Sequence, residues 1–276
     1  MYWHLRDSVD DPRRISMDVL RKENAGILKD KVEIASAMRM WSQAMGRYYF
    51  SPNEKSLMFF LSSAMVKFIS GGNRSGKTGT CALDVVMQCE GWHPMQRENL
   101  EKLIKEGRDS YEYYSGYEKK WNKIDTSWLR EYCKWVLDNK AYIASAPVNA
   151  RCITVDFPNG VEKFCGPEVI RWASKSELAE VQYENEKRRR IIWKNESTLE
   201  FMTTDQELDA HGGTARHTIW FDEEPPSTYW MENMMRIVST RGRMLLGMTA
   251  VNGITWPKHE IWDKWEEIVV GNNITA

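Results

Sequence analysis

The glycine-rich stretch Gly71 to Thr78 contains the residues whose types and spacing most directly predict chemistry. It reads GGNRSGKT and fits the Walker A pattern G-x-x-x-x-G-K-[ST], a loop that surrounds nucleotide phosphates. Its glycines let backbone N–H groups point at phosphate oxygens, where a Cβ would interfere. Lys77 would reach the β- and γ-phosphates, and the Thr78 hydroxyl would join a Mg²⁺ shell. The predicted nucleotide-binding residues are Gly71, Gly72, Asn73, Arg74, Ser75, Gly76, Lys77 and Thr78.

The sequence on both sides of this loop predicts the elements that hold it. Met65 to Ile69 (MVKFI) is typical of a buried strand, and Thr80 to Gln88 (TCALDVVMQ) is typical of a helix. A helix that begins beside the loop directs the positive end of its dipole toward the phosphates. The strand, loop and helix together therefore predict nucleotide binding more specifically than the glycines alone.

A second stretch, Thr218 to Pro226 (TIWFDEEPP), predicts the acidic part of the same site. Four strand-forming residues place carboxylates at the C-terminal end of a strand, where α/β sheets bind their ligands. Asp222 would belong to the Mg²⁺ shell, and Glu223 would orient and deprotonate the attacking water. Glu224 is the alternative base. Paired acids at this position favour NTP hydrolysis over a small-molecule kinase reaction.

Two further positions extend the predicted site. Thr249 follows a predicted strand, Met244 to Met248, and could hydrogen-bond the γ-phosphate or its water. Tyr49 or Phe50, upstream of the loop, could stack on adenine; the alternative is that these rings pack against the edge of the core.

The composition is that of an ordinary globular protein and argues against some function classes. The 276 residues carry a formal net charge of −1, which does not indicate a protein that coats nucleic acid. The five cysteines are scattered without a C-x-x-C pair, so neither a zinc site nor a disulfide framework is predicted. The N-terminus lacks the apolar segment of a signal peptide, and the most apolar window, Leu57 to Ile69, is too short to span a bilayer. These features predict a cytosolic protein without a membrane partner.

Two regions rich in basic or aromatic residues have more than one interpretation. Residues 90–140 mix tryptophan, tyrosine and lysine, which is typical of an amphipathic helical pair or, alternatively, of a nucleic-acid contact. Lys187 to Arg190 (KRRR) predicts a solvated face, a phosphate-backbone contact or an arginine offered to a neighbouring subunit's nucleotide.

The remaining pattern predicts the domain organisation. Residues 11–48 carry apolar positions at helical spacing, so residues 1–47 are predicted to form an N-terminal helical segment. Residues 48–276 are predicted to form one nucleotide-binding domain.

Two strand predictions fall inside this domain. Arg151 to Phe157 alternates as a strand and is followed by a predicted turn at Pro158-Asn159-Gly160. Ile191 to Met202 is predicted to be a hairpin that turns at Asn195-Glu196.

The order of four motifs resembles that of one family. The motifs GGNRSGKT, STLEFMTTDQ, AHGGTARHTIWFDEEPP and GRMLLGMTAVNGITW follow one another as in the ATPase domain of tailed-bacteriophage large terminase subunits, over roughly residues 48–265. The resemblance implies an α/β, RecA-like P-loop NTPase fold of the ASCE type, with a mostly parallel sheet flanked by helices. It also implies that Lys77 and Thr78 bind ATP and Mg²⁺, that Asp222 lies in the metal shell, that Glu223 is the catalytic base, and that Thr249 to Val251 form a coupling motif.

The same resemblance implies an ATP-hydrolysing motor that drives double-stranded DNA into the prohead, in the host cytoplasm. Its partners would be the DNA, the portal protein, the small terminase subunit and further copies of the chain in a ring, with a weakly active monomer expected in isolation. Large terminases continue into a nuclease domain that this sequence does not include, so no nuclease activity is expected. The alternatives are a helicase- or recombination-type ATPase and a nucleotide-gated interaction module without turnover.

Three positions depart from the pattern of the family. The arginine that is usual four residues before the loop lysine is Asn73 here, and Arg74, one residue later, is the candidate for its catalytic role. Ser56 stands where a glutamine is usual, and Val251 stands where a proline is usual. An arginine from a neighbouring subunit is expected to complete the site. The candidates for it are Arg188, Arg189, Arg190, Arg216, Arg241 and Arg243.

Overall fold

A computed structural model describes residues 59–72, 75–106, 110–115, 120–125, 129–185, 187–249, 255–264, 268–270 and 273–275 of the protein. The predictions that lie outside these residues are those for the helical segment 1–47 and for Tyr49, Phe50, Ser56, Asn73, Arg74 and Val251.

A seven-stranded sheet, whose strands are numbered along the chain, forms the centre of the fold. From one edge to the other, its strands are β1 (Val66–Ser70), β9 (Arg243–Met248), β8 (Thr218–Asp222), β4 (Asn149–Thr154), β7 (Thr198–Thr203), β6 (Lys187–Trp193) and β5 (Leu178–Glu184). The first five strands run parallel, whereas β6 and β5 are each antiparallel to the strand before them. This mostly parallel sheet confirms the predicted α/β fold class.

Helices cover both faces of the sheet. They are α1 (Lys77–Glu90), α2 (Arg97–Glu106), α3 (Leu129–Asp138), a π-helix (Phe157–Cys165), α4 (Gly166–Trp172), α5 (Ser227–Ile237) and α6 (Trp256–Glu260), with short 3₁₀ turns at Leu208–His211 and Trp262–Lys264.

Side chains along the central strands point alternately to the two faces of the sheet, and each face packs against a different helix. Phe221 of β8 packs in one core cluster with Trp230 and Ile237 of α5. On the opposite face, the Sγ atom of Cys81 in α1 lies 3.2 Å from the position that a Cβ on Gly247 of β9 would occupy. All six residues of β9 are buried, as expected of a parallel strand with helices on both sides.

Two strand pairs lie outside the large sheet. Strands β2 (Ser110–Ser115) and β3 (Lys120–Asp125) form a sheet of their own, and residues 111–124 belong to a compact unit separate from that of the large sheet. Strands β10 (Ile268–Val270) and β11 (Asn273–Thr275) pair antiparallel. The helical pair predicted for residues 90–140 is therefore correct for α2 and α3 but wrong between them, where the aromatic segments SYEYYS and KWNKID favour strands. Across the described ranges, no helix is long and apolar enough to cross a bilayer.

The predicted strand 151–157 ends earlier than expected, at Thr154. The Asp156 carboxylate accepts the N–H groups of Asn159 (2.6 Å) and Gly160 (3.3 Å), and this cap begins the π-helix. The proline–asparagine–glycine run therefore belongs to the first turn of a helix, and its prediction as a strand-ending turn was wrong. The predicted hairpin is confirmed, because β6 and β7 pair antiparallel on either side of residues 194–197.

The two elements that carry the phosphate loop, β1 and α1, are joined by a buried ionic cluster of Lys67, Asp84 and His93. Lys67 Nζ donates to Asp84 Oδ2 at 3.0 Å, and His93 Nε2 lies 3.2 Å from the same oxygen. His93 Nδ1 accepts the N–H of Met95, so Nε2 carries the ring proton and donates it to Asp84. Gln88 donates to the other carboxylate oxygen at 2.6 Å. The cluster thus fixes the helix on the strand below the loop.

Candidate nucleotide and magnesium site

The phosphate loop lies between the C-terminal end of β1 and the N-terminus of α1, as the sequence predicts. Gly76 has a φ of 86°, a left-handed conformation that favours glycine, and its carbonyl accepts the N–H of Thr80 at 2.9 Å. The Lys77 ammonium donates to the carbonyl oxygens of Gly71 (2.9 Å) and Gly72 (3.0 Å). The Lys77 ammonium is therefore bound by backbone carbonyl groups of the phosphate loop.

The loop and the acidic strand meet at Thr78 and Asp222. The Thr78 hydroxyl donates to Asp222 Oδ1 at 2.9 Å, although the two residues are 144 positions apart in the chain. They meet because β1, β9 and β8 run parallel, so their C-terminal ends share one edge of the sheet. A hydroxyl and a carboxylate are hard oxygen donors, the kind that Mg²⁺ requires. The pair therefore fits the predicted Mg²⁺ shell.

Asp222 is held in surroundings that disfavour its charge. Burial raises the pKa of this carboxyl from its usual value to about 6, and the negative charge of Glu223 acts in the same direction. The hydrogen bond from Thr78, the Cys165 thiol and the charge of Lys77 act in the opposite direction and offset only part of the shift. Without a cation beside it, the ionised carboxylate is therefore destabilising.

We expect Asp222→Asn to stabilise the nucleotide-free protein. The folded-state pKa of Asp222 lies above the unfolded-state value of about 3.9, so ionisation lowers stability as the pH rises toward 6. Removing the charge should raise the free energy of unfolding by about 2 kcal/mol at pH 7.5, with a smaller gain at pH 5. Urea denaturation of both proteins at the two pH values measures this. An equal gain at both would contradict the electrostatic cause.

Glu223 directly follows Asp222 and is tied to the neighbouring strand. Its backbone has a φ of 85°, and its N–H donates to the carbonyl of Gly247 at 2.7 Å. Its carboxylate accepts the backbone N–H of Thr249 at 2.8 Å and the Thr249 hydroxyl at 3.3 Å. The Thr249 hydroxyl thus contacts Glu223 in the structure, and its hydrogen bond to the γ-phosphate or its water stays a prediction. Glu224 has no hydrogen bond or ion pair to other residues that the structure describes.

Two of the candidate arginines are unsuited to reach a neighbouring subunit, because they are buried. Arg216, only 5% exposed, pairs with Glu200 at 2.5 Å. Arg243, only 6% exposed, donates to the carbonyl of Ala141 at 2.9 Å. Both side chains are held within their own fold.

The basic run Lys187 to Arg190 does not form one solvated face. A β-bulge at Arg189 interrupts its pairing with β5, because Gln182 pairs with Arg190 while Tyr183 pairs with Arg188. Each arginine has an acidic partner: Arg188 with Glu162 (3.8 Å), Arg189 with Glu184 (2.8 Å) and Arg190 with Glu200 (3.9 Å). Arg190 and Arg241 are exposed, so they remain candidates for an arginine offered to a neighbour.

One residue at the site has no counterpart in the sequence prediction. Cys165, the last residue of the π-helix, is fully buried, and its thiol acts to lower the pKa of the Asp222 carboxyl against the larger effect of burial. No local pattern indicates this effect, because the π-helix precedes the acidic strand by more than fifty residues and no motif includes Cys165.

Comparisons with known proteins give one family match and two similar solved structures. The family model described as terminase large subunit, T4likevirus-type, N-terminal, matches residues 68–252. The chain is similar to the large terminase from a thermophilic bacteriophage in crystal form 2, with 14% identity and a TM-score of 0.47 over 76% of this chain and 42% of that chain. The complex of that terminase with ADP, in crystal form 3, gives 15% identity and a TM-score of 0.45 over 76% and 42%. The chain thus spans 42% of the length of these solved structures. No curated protein matches it.

Proposed function

Because this chain belongs to the terminase large-subunit family, we propose that it is the ATP-hydrolysing motor domain of a viral DNA-packaging machine. The observation that carries the proposal is the hydrogen bond from Thr78 to Asp222, which joins the phosphate loop to the acidic strand beside Glu223. A phosphate loop alone supports binding, whereas a second carboxylate next to a metal-shell aspartate supports hydrolysis.

The proposed roles follow from the contacts of each residue. The backbone N–H groups of the phosphate loop and the Lys77 ammonium bind the phosphates of ATP, and Thr78 and Asp222 hold Mg²⁺. When bound, Mg²⁺ neutralises charge on the β- and γ-phosphate oxygens. Lys77 has to leave the carbonyl oxygens of Gly71 and Gly72 when it turns to the phosphates.

Glu223 acts as the general base of hydrolysis. Its carboxylate orients a water and takes one proton from it while the water oxygen forms a bond to the γ-phosphorus. The bond from that phosphorus to the β–γ bridging oxygen breaks, which gives ADP and inorganic phosphate. The two contacts from Thr249 hold the carboxylate in place, and through them the end of β9 responds to the state of the base.

The proposed work of the motor is translocation of double-stranded DNA into the prohead. Its partners would be the DNA, the portal protein, the small terminase subunit and further copies of the chain in a ring, within the host cytoplasm. In such a ring, an exposed arginine such as Arg190 or Arg241 would complete a neighbour's site. Arg74 is the candidate from the same chain.

We expect the chain to hydrolyse ATP with Mg²⁺, with a specific activity that rises with protein concentration and with duplex DNA. Trans arginines raise turnover by about 10³–10⁵-fold in related NTPases, so assembly should matter. Phosphate release across a concentration series, with and without DNA, measures this, and Lys77→Ala is the control that lacks the phosphate-binding ammonium. Binding of ATP without turnover under all conditions would instead identify a nucleotide-gated interaction module.

A further inference from the structure

The turn that begins at Glu223 has a backbone conformation that other parts of the chain must support. Glu223 has a φ of 85°, in the left-handed region that residues other than glycine seldom adopt. Such a conformation persists only where surrounding contacts hold it. Two contacts hold Glu223 itself: its N–H donates to the carbonyl of Gly247, and its carboxylate accepts two hydrogen bonds from Thr249. Both partners lie in β9 or directly after it.

A third contact holds the chain just after Glu223. The indole Nε1–H of Trp256, the first residue of α6, donates to the carbonyl oxygen of Pro225 at 2.9 Å. A proline has no N–H, so this carbonyl is the backbone group through which Pro225 can form a hydrogen bond. Because Pro225 is buried, the loss of the indole donor would leave its carbonyl poorly satisfied. Trp256 therefore fixes the turn on the side away from β9.

The position of the Trp256 indole is set by a row of packed rings. Its centroid lies 5.2 Å from that of Trp230 in α5, and Trp230 in turn lies 5.5 Å from Phe221 in β8. Trp230 and Phe221 are buried, and Phe221 directly precedes Asp222 in the chain. The row thus joins the acidic strand, the helix that follows it and α6. It gives the indole N–H a fixed direction toward the turn.

We propose that Trp256 is a positioning residue that holds the turn of residues 223–225 so that the Glu223 carboxylate faces the attacking water. The inference rests on the proposed function, because Glu223 has to be the general base for its position to matter. Without the indole donor, the turn can relax from its left-handed conformation and move the carboxylate, and a misplacement of about 1 Å can lower a rate by about 10²-fold. The phosphate loop is joined to β1 and α1 instead, so nucleotide binding does not depend on this contact.

The test compares wild type with Trp256→Phe, which keeps an aromatic ring and removes the N–H. We expect kcat for ATP hydrolysis to fall about 10–10²-fold. The KM for ATP and the affinity for ADP should stay within about twofold of wild type, as when an interaction serves only the chemical step. In a Glu223→Gln background, Trp256→Phe should lower the residual turnover less than about twofold, because the effects of residues that act as a unit are not additive.

The matched control is Trp262→Phe, which removes an indole N–H from the same part of the chain. Trp262 is 53% exposed, and its ring lies 6.3 Å from that of Phe68 in β1. Its variant should keep the kcat of wild type. If Trp256→Phe does not fold, a benzothiophene side chain at position 256 replaces it, because this ring system has the outline of indole with sulfur in place of the N–H.

Three results would overturn the inference alone while wild type turns ATP over and Glu223→Gln does not. They are an unchanged kcat in the Trp256 variant, an equal loss in Trp262→Phe, and an equal loss from Trp256→Phe in the Glu223→Gln background, which would indicate a general effect on the fold. If wild type binds ATP without turnover, or if Glu223→Gln keeps full turnover, the proposed role of Glu223 fails and this inference fails with it.

Discussion

Glu223→Gln should lower the rate of ATP turnover by about 10²–10⁴-fold, the range expected when a general base is removed. Glutamine has nearly the shape of glutamate, and its amide oxygen can still accept the N–H of Thr249 that now reaches the carboxylate at 2.8 Å. The geometry at the end of β8 should therefore persist, while the group that takes the proton is lost. Nucleotide affinity should change little, because the phosphate loop and the pair of Thr78 and Asp222 are untouched.

The control for this prediction is Glu224→Gln, one residue further along. Glu224 makes no hydrogen bond or ion pair to the described residues, so its loss should change turnover less than about tenfold. Steady-state phosphate release at saturating ATP, together with the affinity for ADP, separates the two variants. The opposite result, in which Glu223→Gln keeps its turnover and Glu224→Gln loses it, would identify Glu224 as the general base.

The phosphate loop and the acidic strand could be predicted from the sequence because each is a local pattern. The loop residues Gly71 to Thr78 are contiguous, and the strand before Asp222 is a continuous apolar run. The proximity of the loop and the acidic strand could also be predicted, since parallel strands place their C-terminal ends at the same edge of the sheet. The contact of Thr249 with Glu223 could not be predicted, because it depends on the backbone of Glu223, whose φ of 85° is not indicated by its residue type.

Other features depend on contacts between segments distant in the chain. The basic run at Lys187 to Arg190 looks like a solvated face, but a bulge and three acidic partners from other segments divide it. The alternation before Pro158 continues past Thr154, so the strand and the π-helix cannot be separated by periodicity alone. The Cys165 thiol acts on the pKa of Asp222 only because that helix returns to the sheet.

The largest effect on stability is expected from Asp84→Leu, which breaks the buried cluster of Lys67, Asp84 and His93. The side chains of Lys67 and Asp84 are 1% and 0% exposed, and their nitrogen and oxygen lie 3.0 Å apart. Removing the carboxylate leaves an ammonium in the core without its partner, which should lower the free energy of unfolding by about 3–5 kcal/mol. Urea denaturation at pH 7.5 measures the loss.

A double variant separates the ion pair from the packing around it. Lys67→Met combined with Asp84→Leu replaces both charges by apolar groups, and such replacements of buried pairs are often neutral. The double variant should therefore recover most of the stability that Asp84→Leu loses. The surface control is Glu101→Ala, which breaks the solvent-exposed pair with Arg97 and should leave the free energy of unfolding nearly unchanged. A double variant as unstable as the single one would show that the carboxylate acts through Gln88 or His93 and not through Lys67.

The pH dependence of stability gives an independent check on the same cluster. Burial lowers the pKa of His93 below its usual value of 6.5, although Asp84 partly opposes the shift. A folded-state pKa below the unfolded one means that the unfolded chain takes up the proton first, so stability should fall as the pH drops through about 6.5. Burial opposes ionisation of Asp84, but the charge of Lys67 and the hydrogen bonds from His93 and Lys67 lower its pKa overall, so its own contribution is lost only below about pH 4.

The His93→Gln variant isolates the share of this slope that comes from the cluster. Burial lowers the pKa of His211 and His217 as well, so part of the slope between pH 7.5 and pH 5 should remain. Urea denaturation across this range should show a shallower slope for His93→Gln than for wild type. An unchanged slope would mean that His93 is already doubly protonated in the folded protein. It would contradict the assignment of a neutral ring that donates from Nε2 to Asp84. A shallower slope would show that a neutral His93 stabilises β1 and α1, the strand and helix that carry the phosphate loop.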